Sequence, residues 1–165
     1  MFASSAAKCI TIVDKAGTPQ FVREVDGGAE DFKLESGSRL SYFKLDSSLP
    51  GNIFEGVHYL LNNHYQLIDS FRCGNGYFTD DHDFRLLPNG HALLIAYDAH
   101  THIDMRTVTG NPNAAKNATV IGGIIQELDT LKNVVLQWST WDHLKISDMS
   151  NFDLTNQNYT MYDYA

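Results

Sequence analysis

Two stretches of this chain are versions of one another. "DFKLESGSRLSYF" (31–43) and "DFRLLPNGHALLIAY" (83–97) both open with Asp-Phe, a basic residue and Leu, turn at a glycine, and leave along an apolar strand. A second pattern occurs three times, in "VDKAGTPQFVR" (13–23), "LNNHYQLIDSF" (61–71) and "LDTLKNVVLQW" (128–138). Each copy has an apolar residue, then Asp or Asn, a short polar turn and an alternating strand. Repetition at about 50 residues constrains the fold strongly, because each unit must bury its apolar face against the next. Within the units, apolar residues alternate with period two between closely spaced turns, the signature of antiparallel strands. Four short strands in about 50 residues make a propeller blade.

The expected fold class is therefore all-β, an incomplete β-propeller of about two and a half blades of four-stranded antiparallel sheet. One partial domain spans 1–165. Strands are expected near 9–14, 20–24, 31–35, 39–44, 57–62, 66–71, 82–87, 91–97, 120–128 and 133–138, with a short helical turn in 141–149. Residues 99–119, rich in Asn, Thr and Gly, are read as an inserted loop that lengthens the last interval. A ring of two and a half blades cannot close, so the chain reads as a piece of a longer protein. Self-association through exposed blade edges is expected.

Composition narrows the function. The net charge is -8, from 20 acidic and 12 basic residues, and no Lys/Arg cluster is present. That argues against nucleic acid or an anionic membrane surface as a partner, because counterion release needs a basic patch. No apolar run reaches the length of a spanning helix, so no membrane segment is expected. The opening "MFASSAAKCITIVDKAG" makes a poor signal peptide, since Lys8 interrupts a short apolar run. Cys9 and Cys73 leave one bridge or two free thiols open.

Three longer motifs, "CGNGYFTDDHDFRLLPNGHALLIAYD" (73–98), "IIQELDTLKNVVLQWSTWDHLKISD" (124–148) and the closing "YDYA", resemble the bacterial arylsulfotransferase family, which needs no nucleotide donor. The resemblance covers roughly residues 30–165. It implies a six-bladed propeller with its active site at the central channel, without a cofactor or metal. The implied reaction moves a sulfuryl group from an aryl sulfate to a phenolic acceptor through a sulfohistidine. It also implies a periplasmic or secreted location. By position, His82 matches a channel histidine that helps hold the sulfuryl group, and in the first repeat its place is taken by Glu30. The family's next channel histidine, its catalytic arginine and the nucleophilic histidine fall beyond Ala165. The fragment is therefore expected to be inactive alone. The alternative is a non-catalytic propeller used for binding or scaffolding.

On the residues alone, His82 reads as a histidine capping a turn with Asp81 or Asp83. His143, in "WDH", is either a substrate-side group or a ring packed on neighbouring aromatics. "HTHID" (100–104) has the His-x-His spacing of metal sites, but in the insert it reads as solvated. "NAT" (117–119) and "NYT" (158–160) fit the glycosylation sequon, which matters only for a secreted eukaryotic chain.

Overall fold

The three-fold sequence pattern is a turn built by one side chain. In the computed structural model, which describes residues 1–49, 53–148 and 158–160, Asp14 Oδ1 accepts from the backbone N–H groups of Ala16 and Thr18. Asn62 Oδ1 does the same for His64 and Gln66, and Asp129 Oδ1 for Leu131 and Asn133. Each turn also closes a backbone bond onto the Asp or Asn carbonyl, from Gly17, Tyr65 and Lys132. All three donors sit in the left-handed region, with φ of 82°, 60° and 69°. The short acceptor at the first position replaces ladder bonds that the turn breaks, which is why Asp or Asn is required there.

These turns join strands into three antiparallel sheets. The first is β1 (Phe2–Ser4), β2 (Cys9–Val13) and β3 (Pro19–Glu24), paired in that order. The second is a meander of β4 (Ala29–Glu35), β5 (Arg39–Leu49), β6 (Ile53–Leu61) and β7 (Leu67–Phe71). The third repeats it with β8 (Phe78–Leu86), β9 (Ala92–Ile103), β10 (Ala118–Leu128) and β11 (Val134–Ser139). A short β12 (Asn158–Thr160) runs parallel to β10 on the same edge as β11, beside Thr119–Ile121. The fold is all-β, its sheets arranged like propeller blades, and the described residues form no closed ring. All ten expected strands are present; β1 and β12 add to them.

Apolar faces of neighbouring sheets supply the cores. Ile10, Val25, Phe32, Leu40 and Leu61 are buried between the first and second sheets. Leu60, Phe71, Phe84, Leu94 and Leu128 are buried between the second and third. Polar ties cross the same interfaces. Glu35, 7% exposed, accepts from the Leu86 N–H of the next sheet at 2.9 Å and from Ser41 Oγ at 3.0 Å. Lys132, in the β10–β11 turn, pairs with Asp69 at 2.8 Å and lies over the Phe71 ring.

Residues 99–119 are more ordered than a solvated loop. Strand β9 continues through Ile103, a helical turn α1 (Met105–Thr109) follows, and β10 begins at Ala118. Met105, Ala114, Ala118 and Val120 form a third small core, against which Trp141, Leu144 and Ile146 pack. Trp141 lies in α2 (Thr140–His143), the expected helical turn, and donates Nε1–H to the Asp98 carbonyl at 3.1 Å. Its ring sits so close to β10 that a Cβ at Gly122 would meet it at 2.3 Å, so this strand position must be glycine. A 3₁₀ turn at Ile146–Asp148 completes the segment; residue 149 lies outside the described residues. No described helix is long and apolar enough to cross a membrane. Cys9 and Cys73 are both free thiols, and burial pushes Cys73 up to about 12.

Candidate functional site

The ladders of the two Asp-Phe hairpins bulge differently, and His82 lies where they do. In the second sheet, Glu30 faces Phe43 and Lys33 faces Ser41, so Asp31 and Phe32 share one partner across the ladder. In the third sheet, Thr79 faces Ala96 and Phe84 faces Leu94. Four residues, Asp80 to Asp83, therefore bulge out opposite Ile95 alone. The sequence alignment equated Glu30 with His82, yet Glu30 is a ladder residue and His82 is not. Bulges of this kind re-aim side chains at strand edges and beside functional sites.

Asp80 builds the bulge. Its side chain is 1% exposed, and Oδ1 accepts from the His82 backbone N–H at 2.6 Å and from His82 Nδ1 at 2.7 Å. The carboxylate only accepts, so Nδ1 carries the proton. The His82 ring itself is 69% exposed. Asp81 Oδ1 is 3.3 Å from Nδ1, and the Tyr97 hydroxyl is 3.5 Å from both. Partial burial works against the imidazolium, but the Asp80 charge, its hydrogen bond, and the charges of Asp81 and Asp31 outweigh it and raise His82 above the ordinary histidine value. Asp81 is raised as well, chiefly by burial, with His82 opposing and Asp80 reinforcing the shift. The geometry thus gives a histidine fixed at Nδ1 and open at Nε2.

A second charge group flanks it on the sheet interface. Lys33 of β4 pairs with Asp31 at 2.7 Å and with Asp83 of β8. Burial pushes Asp31 up to about 6 despite the Lys33 ammonium beside it. Asp83 is thus committed to Lys33, and it is Asp80, with Asp81, that holds His82. Beneath the bulge lies His58 of β6, wholly buried, with Nε2 3.1 Å from the Asp80 carbonyl. Burial lowers its pKa to about 3, so the ring is neutral. Neither Asp80 nor His58 was legible as a site residue. Asp80 left a faint signal, the Asp-x-His spacing of "DDHD"; His58 left none.

Tyr97 also lines a cleft of about 230 Å³, together with Gly76, Tyr77, Phe78, Asp98 and Ala99. His143 is exposed at the end of α2 and stacks on Trp138 at 5.0 Å, and no hydrogen bond or ion pair joins it to His82. The two histidines of "HTHID" have separate partners. His100 stacks on Trp141 at 4.0 Å, and His102 Nδ1 is 2.8 Å from Asn117 Oδ1. Among the described residues, Asp80, Asp81 and His82 are the only metal-ligand types grouped closely enough for one ion. Their contacts are those of the hydrogen-bonded bulge. Comparison with protein-family models, curated proteins and solved structures finds no match to this chain.

Proposed function

We propose that this chain is part of a β-propeller sulfotransferase of the arylsulfotransferase type, transferring a sulfuryl group from an aryl sulfate to a phenol. The observation that carries the reading is the exposed His82 imidazole, held at Nδ1 by the buried Asp80, beside a cleft lined by Tyr77, Phe78 and Tyr97. When charged, the ring offers Nε2–H to a sulfuryl oxygen, and the carboxylate behind it favours that charged form. Tyr97 lines the cleft and touches His82, so an aryl ring in the cleft would bring its sulfate group toward the imidazole.

In the proposed reaction a second histidine, outside these 165 residues, attacks sulfur. The N–S bond forms as the S–O bond to the donor phenol breaks, and the leaving phenolate takes the proton that the sulfated imidazole releases. A second phenol then attacks sulfur, the new S–O bond forms as the N–S bond breaks, and the phenol's proton returns to the histidine. A periplasmic or secreted location belongs to the same proposal.

One observation favours the alternative, a propeller module for binding or scaffolding. Asp31, Asp80 and Asp81 all act on His82, and Glu30 acts on Asp81, a negative setting that opposes an anionic substrate. Titration with phenyl sulfate, followed by NMR, separates the two. The sulfotransferase reading expects shifts at His82, Tyr77 and Tyr97 that vanish in His82→Ala, with no phenol released by the 165-residue chain. No shift at these residues leaves the scaffold reading standing. In a version extended by further blades, His82→Ala should lower kcat by about 10²–10³, the cost of one lost transition-state donor.

A further inference from the structure

His58 belongs to the sheet next to the bulge, and its ring is completely buried between two aromatic rings. Phe84 stacks on it at 5.0 Å and Phe43 meets it edge-on at 4.9 Å. A histidine at such depth gives up water at both nitrogens. Only one is repaid: Nε2 lies 3.1 Å from the Asp80 carbonyl, while Nδ1 has no hydrogen-bond partner. A phenylalanine would fill the same space without that cost. What histidine adds is a donor. A carbonyl only accepts, so Nε2 carries the proton and the bare Nδ1 faces the apolar interior.

The acceptor gives this bond its meaning. Asp80 opens the bulge, and its carboxylate fixes both the backbone and the ring of His82. We infer that His58 is a positioning residue: by holding the Asp80 peptide from the neighbouring sheet, it aims the Asp80 carboxylate and, through it, the His82 imidazole. The packing of one blade on the next is thereby coupled to the geometry of the exposed histidine. This inference takes His82 as the functional group, as in the proposed function. Charged groups act on both rings: Lys33 and Asp83 on His58, and Asp80, Asp81 and Asp31 on His82, with the Tyr97 hydroxyl beside it.

The test is an NMR titration of His82 in the 165-residue chain without substrate, so its outcome does not depend on sulfuryl chemistry. His58→Phe keeps the ring volume and removes the donor. The His82 midpoint should fall toward that of an ordinary histidine, because the carboxylate is no longer aimed at Nδ1. His58→Gln, whose amide N–H can reach the same carbonyl, should restore the parent midpoint. A folded His58→Phe protein with the parent midpoint overturns the inference. If that variant does not fold, the unaltered chain decides: a through-hydrogen-bond coupling between His58 Nε2 and the Asp80 carbonyl carbon supports it. Its absence, or a proton on His58 Nδ1, overturns it. Loss of phenyl sulfate binding with an unchanged His82 titration would count only against the sulfotransferase reading.

Discussion

Glu35 offers a direct measure of how firmly one blade is tied to the next. Its carboxylate is buried, with Oε1 accepting from Ser41 Oγ at 3.0 Å within its own sheet and Oε2 from the Leu86 N–H of the following sheet at 2.9 Å. Glu35→Gln is nearly isosteric. Its remaining oxygen can still accept from the Leu86 N–H while its NH₂ group donates to Ser41 Oγ, because a hydroxyl also accepts, so both contacts can survive. A buried donor left unsatisfied costs about 1–3 kcal/mol. Glu35→Ala leaves the Leu86 N–H without this acceptor, while the Ser41 hydroxyl can turn elsewhere, and should cost about 1–3 kcal/mol. In a domain of this size each kcal/mol moves Tm by about 2–4 °C. Glu35→Ala should therefore lower Tm by about 2–12 °C, and Glu35→Gln by less. The assay is thermal and urea unfolding followed by circular dichroism, with an unchanged urea slope showing that the same surface is exposed. If Glu35→Ala unfolds within about 1 °C of the parent, below the smallest expected shift, the carboxylate does not join the sheets as argued.

Asp80→Asn should lower the His82 titration midpoint, because the neutral amide withdraws the charge that favours the imidazolium; proton NMR of the ring reads it. Phe84→Ala removes a ring packed between His58 and Phe71 and should cost about 3–5 kcal/mol in urea unfolding. Acid stability carries a His58 signature. Its folded pKa, about 3, lies below that of the unfolded chain, so the unfolded state takes up the extra proton and stability falls with pH. Between about pH 6.5 and 3, the stability of the parent relative to His58→Phe should fall by about 1.4 kcal/mol per pH unit; a constant difference would show that His58 is not a buried neutral ring. Self-association should be visible by sedimentation at micromolar concentration, since the last full strand exposes Val135 and Leu136 beside Leu131, and a monodisperse monomer would contradict it.

The sequence by itself determined the strands and the turns between them. Period-two alternation is a local property, and so is an Asp or Asn whose oxygen reaches the amides two and four residues on. Asp14, Asn62 and Asp129 build the same turn because each carries the means of doing so within five residues. His82 also stood out, as the histidine heading a repeated hairpin.

Tertiary structure decided what surrounds it. The width of the bulge depends on a buried Asp80 carboxylate folding back onto His82, and the depth that makes that carboxylate effective comes from packing β8 on β6 and β4. The choice of Asp80 over Asp83 as the histidine's partner was settled by Lys33, a residue of another sheet that claims Asp83. The order within residues 99–119 likewise came from Trp141 and Leu144, packed from the far end of the third sheet. Local chemistry reaches only as far as the chain's own near neighbours. A hydrogen bond such as that from His58 to Asp80 exists only once two blades have met, so no local pattern could have announced it.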